Sequence, residues 1–286
     1  MYPILKRILK IIGIVFLAVL VVLIVLFYRF SSPKSDAKIK KKFAANTTEV
    51  FINHTKYKEF KYRFLATQKE IDTTISTIIF IHGSIGSGLD FKNYLSDNEL
   101  NKKFNLVSYD RVGYGIHQTG EVQESIQFET ELLEDLITKL NTKKVILVGY
   151  SYGGPIALAS NKKYEKIVLL APAVYSKVEP IPWGVKLYQW SFTKWLLPPI
   201  WKAASKEKLS HKKDLQFFEQ QWFKNTSKVV SIHGSEDWIV PFENSVYLKE
   251  NFSPQQFELV TLTDAGHGLV WSHFSEIKQV LLQPLN

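Results

Sequence analysis

From Lys143 the chain reads Lys-Lys-Val-Ile-Leu-Val-Gly-Tyr-Ser151-Tyr-Gly-Gly-Pro-Ile-Ala-Leu-Ala, and no other segment narrows the possible folds as much. A β-branched, apolar run predicts a buried strand. Small residues after Gly153 predict a closely packed helix, with Gly149-x-Ser151-x-Gly153 between the two. Glycine on both sides of a strand-to-helix turn is needed where side chains would collide, and such a turn leaves the central hydroxyl exposed at the sheet edge. Taken alone, the five residues could also be a glycine-rich turn with an incidental serine.

The rest of the chain supplies the setting. Val50 to His54 and Phe60 to Leu65 alternate as two strands, followed by a turn around Glu70 to Thr73. Short apolar runs follow at Thr77 to Ile81, Leu106 to Tyr109, Lys144 to Val148, Lys166 to Leu170, Lys228 to Ile232 and Phe257 to Thr261. A helical stripe over Gln123 to Leu140 presents Ile126, Leu133, Leu136, Ile137 and Leu140 on one face. Strands alternating with helices predict an α/β fold with a mostly parallel central sheet covered by helices on both faces. The alternation breaks at about residues 173–227, where Trp183, Trp190, Trp195, Trp201 and Trp222 accompany Pro180, Pro182, Pro198 and Pro199. This stretch is expected to be a helical lid inserted between two strands.

Two further polar segments lie just past strand ends. His233-Gly-Ser-Glu-Asp237-Trp-Ile-Val-Pro241 follows one predicted strand, and Asp264-Ala-Gly-His267-Gly follows the next. C-terminal strand ends are where ligands sit in open α/β sheets. With Ile81-His-Gly-Ser84-Ile-Gly86 and Tyr109-Asp-Arg-Val-Gly-Tyr-Gly115, these motifs resemble the α/β-hydrolase superfamily from about Phe43 to the C-terminus. The resemblance implies Ser151 as nucleophile, His267 as base and Asp237 as the third triad member. It also implies an oxyanion hole from the backbone N–H groups of Tyr152 and Ser84, with Ile85 as the fallback for the second. Glu236 is the competing acid. Asp110 and Arg111 are expected to be structural, with Gly113 and Gly115 turning their loop, and His82 is expected to shape the oxyanion loop. His54, His117, His211 and His273 share no metal-ligand spacing and are expected at surface or capping positions.

A serine at the elbow argues against relatives that use a carboxylate there to attack alkyl carbon. Ser84-Ile85-Gly86 departs from the Gly-Gly-Pro-Gly loop of proline-specific aminopeptidases. Ester, thioester, lactone, amide and carbon-carbon bond hydrolysis remain, as does a catalytically silent ligand-binding protein on this fold. No P-loop, dinucleotide fingerprint or His-Glu-x-x-His is present, so no cofactor or metal is expected.

Upstream, Ile11 to Tyr28 carries no charge and is dominated by Val, Ile, Leu and Phe, long enough with Ile8 and Leu9 to span a bilayer as a helix. Tyr2, Phe27, Tyr28 and Phe30 sit near its ends. A cleaved signal peptide would have a shorter apolar core ending in small residues, so residues 1–30 are read as an uncleaved single-pass anchor. Residues 31–42, rich in lysine, are read as a solvated basic tether, and residues 43–286 as the hydrolase domain. Positive charge on both flanks leaves the side of the membrane open: a plain count favours a cytoplasmic domain, whereas long C-terminal domains translocate regardless.

The 36 Lys and Arg against 27 Asp and Glu, net +9, are scattered and include no arginine-rich recognition helix, which argues against nucleic acid. The excess fits either an anionic membrane surface or a lysine-rich background composition. Having no cysteine, the chain has no disulfide, thiolate site or cysteine nucleophile. Aromatics interleaved with lysines in the insertion could line an acyl pocket and touch a bilayer, which with the anchor suggests a small-molecule ester substrate of lipid character; the alternative is that these aromatics form the lid's own core. The composition leaves the oligomeric state undefined.

Overall fold

In the computed structural model, residues 2–45, 48–117, 122 and 124–283 are described. The apolar runs form eight strands: β1 (Phe51–Tyr57), β2 (Phe60–Ala66), β3 (Ser76–Ile81), β4 (Phe104–Tyr109), β5 (Val145–Tyr150), β6 (Lys166–Leu170), β7 (Val229–Gly234) and β8 (Phe257–Leu262). They make one sheet in the order β1-β2-β4-β3-β5-β6-β7-β8. β1 and β2 are an antiparallel hairpin, β2 meets β4 antiparallel, and every later pairing is parallel.

Successive side chains of the central strands enter different cores. Ile79, Ile81, Leu147 and Leu169 pack in one cluster, while Ile78, Phe80, Ile146, Val148, Val168 and Leu170 pack in the other. Period-two alternation between two apolar layers explains why these runs read as continuously hydrophobic. Val145 to Val148 are all buried, and burial of each such side chain contributes roughly 2 kcal/mol. In register, Ile81 pairs with Gly149 and Tyr150 with Leu170, so the C-terminal ends of β3, β5 and β6 share one edge.

The helical stripe is realised as Ile126–Leu136, shorter than expected at both ends. Ser125 caps it, its hydroxyl accepting from the Phe128 N–H, and the chain turns after Ile137. The expected first residue, Gln123, lies outside the described residues. Between β6 and β7 the chain forms helices Val185–Gln189, Ser191–Lys194 and Pro199–Phe218, the last opened by proline at its first position.

A helix of 30 residues, Tyr2–Ser31, precedes the sheet. Pro3–Ser31 has a mean hydropathy of 3.3 in its most apolar window and none of that window is buried, so it is long and apolar enough to cross a membrane. A signal sequence would present the same pattern.

The expectation of a solvated tether over 31–42 is corrected. Asp36–Phe43 is a helix whose Ile39 and Phe43 are buried in the same cluster as Leu65, Ile78 and Phe80. Buried Arg63 donates to the Lys34 carbonyl (2.8 Å) and to Asp36 Oδ1 (2.9 Å), fastening this helix to β2. Lys38, Lys40, Lys41 and Lys42 occupy the outward positions, and this charge run masks an apolar pair spaced i, i+4. The packed domain therefore includes residues before Phe43.

Candidate active site

β5 ends at Tyr150 and the chain reverses at Ser151, which adopts φ +54°. That left-handed conformation costs a non-glycine residue roughly 1–3 kcal/mol and persists because its surroundings fix it. The Ser151 N–H donates to the Leu170 carbonyl (2.9 Å), and its own carbonyl accepts from Gly154 and Ala173. A Cβ at Gly149 would lie 2.4 Å from the Gly153 carbonyl oxygen, and one at Gly153 would lie 2.2 Å from that of Ile81. The two flanking glycines are thus required by close backbone approach, and the helix Gly153–Ala159 starts directly behind the serine.

Asp237 lies in the loop after β7, and His267 in the loop after β8. The structure brings both to Ser151: His267 Nε2 is 3.1 Å from Ser151 Oγ, and His267 Nδ1 is 2.7 Å from Asp237 Oδ2. These partners define the tautomer, with Nδ1–H donating to the carboxylate and Nε2 accepting from the hydroxyl. Asp237 Oδ1 accepts from the N–H groups of Ile239 and Val240, both at 2.9 Å. Burial alone would push the Asp237 carboxyl up, but hydrogen bonds from His233 and His267, the His267 charge and the Val240 N–H outweigh it. They hold the carboxyl well below the usual carboxylate range. Glu236 is exposed and does not meet His267; its N–H donates to the Ala265 carbonyl.

Two supporting residues were missed in the sequence. His233 Nε2 is 3.4 Å from Asp237 Oδ2, and its Nδ1 is 2.7 Å from Ser245 Oγ. Tyr150, one residue before the nucleophile, donates its hydroxyl to the His267 carbonyl (3.0 Å) and packs its ring 5.2 Å from the imidazole.

The segment His82 to Ser84 runs against the nucleophile: a Cβ on Gly83 would lie 2.7 Å from Ser151 Cβ. Ser84 directly follows Gly83 and Tyr152 directly follows Ser151, so the two residues expected to supply oxyanion donors each adjoin this close approach. Buried His82 shapes this segment as expected. Its Nδ1 is 2.7 Å from the Gly83 carbonyl and its Nε2 accepts from the Arg111 N–H (3.0 Å). Burial and the Arg111 charge push its pKa well below the ordinary imidazole value.

Behind this segment lies a buried charge cluster that sequence reasoning did not anticipate. Arg111 pairs with Glu207 and lies 3.7 Å from Glu129, all three fully buried. Its guanidinium stacks 4.5 Å from the Tyr152 ring. Glu207 also accepts from the hydroxyls of Ser84 and Tyr114. The clue was available: Ile200, Ala203, Ala204, Leu215 and Phe218 form the buried stripe of their helix, with Glu207 and His211 on the same stripe.

Asp110 takes the structural place expected of it, paired with Arg63 (2.6 Å) and accepting from the Gly88 N–H. The expectation of a surface or capping position is corrected for His211, which is buried with Nδ1 3.0 Å from Glu179, because its helix turns that face inward. His54 bridges Asp36 and His117, each contact 2.7 Å. Among the described residues no group of three or more His, Asp or Glu side chains is arranged to hold a metal ion.

Comparison with known proteins agrees with this fold. The chain is 26% identical over 254 residues to the AB hydrolase superfamily protein YisY of Bacillus subtilis, covering 72% of this chain and 90% of that one. A shorter stretch of 99 residues is 33% identical to an esterase/lipase candidate of Mycoplasma pneumoniae, covering 33% of this chain and 37% of the relative. Among solved structures, an esterase from Exiguobacterium antarcticum superposes with a TM-score of 0.59 at 17% identity, over 77% of this chain and 94% of that one. A sequence profile of the Alpha/beta hydrolase family matches residues 78–280, a span that contains Ser84, Ser151, Asp237 and His267, and the chain belongs to that family.

Proposed function

We propose that this protein is a serine hydrolase that cleaves a carboxylic ester through an acyl-enzyme on Ser151. The observation that carries the reading is the continuous relay from Ser151 Oγ through His267 to a buried, ionised Asp237. Ser151 Oγ attacks the carbonyl carbon while His267 Nε2 takes its proton, and Asp237 stabilises the resulting imidazolium. The tetrahedral oxyanion is held by the N–H groups of Ser84 and Tyr152. His267 then passes the proton to the departing alkoxide, leaving the acyl group on Ser151. Water repeats the sequence, giving its proton to His267 and its oxygen to the acyl carbon, which restores the serine.

A lipophilic ester is favoured by the rim of the site. Ile85, Trp238, Ile239 and Trp271 are exposed, and they adjoin the oxyanion loop, Asp237 and Tyr150. Charged or polar residues at these positions would be expected around a site for a hydrophilic substrate. The likeness to the esterase/lipase candidate supports the ester class. In this reading residues 2–31 anchor the enzyme in a membrane and the insertion between β6 and β7 acts as its lid.

The test compares wild type with Ser151→Ala on p-nitrophenyl esters from acetate to palmitate, alongside labelling by a fluorophosphonate. Hydrolysis and labelling that both vanish in the variant, with rates rising toward the longer chains, are expected. Equal rates in the two proteins would sink the proposal. Labelling at Ser151 without ester turnover would favour amide or carbon-carbon bond hydrolysis by the same triad.

A further inference from the structure

The insertion carries large apolar side chains that the fold does not use. Ile181, Trp183, Trp190, Phe192 and Trp195 are 59%, 77%, 51%, 71% and 66% exposed. Trp190 and Phe192 stack on each other at 5.6 Å, which makes a flat apolar patch. By contrast Trp222 is fully buried in the same core cluster as Leu147 and Leu169 and donates its indole N–H to the Val174 carbonyl (3.1 Å), so the insertion is packed onto the domain without the outer five.

This patch is fastened to one level of the N-terminal helix. The Tyr28 hydroxyl donates to the carbonyls of Trp195 (3.0 Å) and Leu197 (3.2 Å). Trp201 donates its indole N–H to Ser31 Oγ (2.9 Å), and its ring lies 5.3 Å from that of Phe27. All four helix contacts fall in its last turns, where the uncharged run from Ile11 to Tyr28 ends at Arg29. That run is about 27 Å long as a helix, close to the hydrocarbon thickness of a bilayer. Tyr28 therefore sits at the boundary between acyl chains and headgroups, and the backbone of Trp195 is at the same depth. Beside it, Arg29, Lys34, Lys38, Lys41 and Lys42 line a cleft of about 470 Å³ with Phe30. The nearest carboxylate in the chain, Asp36, is already taken by Arg63 and His54.

We propose that this face of the insertion is embedded in the leaflet at which the N-terminal helix ends, with the aromatic residues among the acyl chains and the basic cleft on anionic headgroups. The proposal rests on reading residues 2–31 as a membrane span. Continuity decides the occupant: the patch adjoins the end of the span, and tryptophan is a residue of that interfacial depth. A second copy of the chain would have to share the same interfacial layer to reach it. The embedded face brings the insertion, and the site it covers, into contact with esters that reside in the leaflet.

Every tryptophan lies outside residues 2–31, so fluorescence of the full-length chain reports on the folded domain alone. The chain is reconstituted into phosphatidylcholine vesicles containing phosphatidylglycerol, with acyl chains brominated at mid-chain. Quenching of about a third or more of the emission is expected, because three of the seven tryptophans lie on the proposed face. The triple variant Trp183→Phe, Trp190→Phe, Trp195→Phe keeps the apolar character and should lose most of that quenching. Ser151→Ala should quench as wild type does, so a failure of the catalytic reading leaves this measurement intact. Unquenched wild-type emission, or quenching that survives the triple variant and disappears instead with Trp238→Phe and Trp271→Phe, overturns the proposal. Wild type should be quenched more in these vesicles than in brominated phosphatidylcholine alone, and replacing Lys38, Lys41 and Lys42 with Gln should abolish that difference; equal quenching of wild type in the two would remove the basic cleft from the proposal.

Discussion

The hydroxyl of Ser84 donates to the carboxylate of Glu207, a bond across 123 residues that ties the loop beside Ser151 to the long helix of the insertion. The same carboxylate pairs with Arg111 and accepts from Tyr114, so the insertion, the segment from His82 to Ser84 and the Tyr152 ring share one network. Movement of that helix would move Ser84.

Ser84→Ala removes only its own bond to Glu207, which is expected to lower stability by about 1.5–3 kcal/mol, the range for a hydrogen bond to a charged group. Glu207→Ala leaves Arg111 without its closest partner and should cost roughly 3–5 kcal/mol. Chemical denaturation checks both, and ester kinetics should show kcat falling more than KM rises in each. A variant with normal stability and normal kcat at position 207 would show the network to be incidental.

Asp237→Asn is expected to lower kcat on the order of 10⁴-fold, because the imidazole loses its orienting acceptor, and to lower stability near neutral pH, because the fold favours the ionised carboxylate. Glu236→Gln should leave turnover within about twofold, since exposed Glu236 does not reach the histidine. The reverse pattern would exchange the roles of the two carboxylates.

Burial pushes the Glu129 carboxyl up to about 7, the pull of Arg111 offsetting only part of that. The folded state then holds a proton that the unfolded state releases near the ordinary value of 4.5, so stability falls as pH rises between about 4.5 and 7 and levels off above. At about 1.4 kcal/mol per pH unit, this single group accounts for at most roughly 3.5 kcal/mol. Glu129→Gln should flatten that part of the stability profile in denaturation titrations; an unchanged slope would assign the pH dependence to other groups.

Ile39→Ala should destabilise the domain by about 2–5 kcal/mol, as expected for a buried isoleucine. A change near zero would return residues 36–43 to the status of a solvated tether.

Tyr150→Phe removes the hydroxyl that steadies the His267 carbonyl. A several-fold loss of kcat with stability lowered by about 1 kcal/mol is expected, and unchanged kinetics would show that the histidine loop is held without it.

Much of this was readable along the chain because it is governed by local rules. The strand Lys166–Leu170 was predicted to the residue, and the other parallel strands to within a few residues, since a run that packs on both faces of a sheet must be continuously apolar. The tight turn at Ser151 announced itself through Gly149 and Gly153, whose absent side chains are a backbone requirement. The segments that hold Asp237 and His267 could be picked out because each follows a strand and parallel strands bring their C-terminal ends to one edge, while the choice of Asp237 over Glu236 came from the resemblance to the family's motif.

What required the folded chain was every partnership that depends on which face of a helix turns inward. The lysines of residues 38–42 hid Ile39 and Phe43, and although Glu207 and His211 fall on the apolar stripe of their helix, which side of that helix turns inward is fixed only by what it packs against. Local sequence sets which conformations each segment can adopt. Burial of a charged side chain is decided by what lies opposite it, and for Glu207 those are Arg111, Ser84 and Tyr114, residues about a hundred positions away that only the tertiary structure brings within reach.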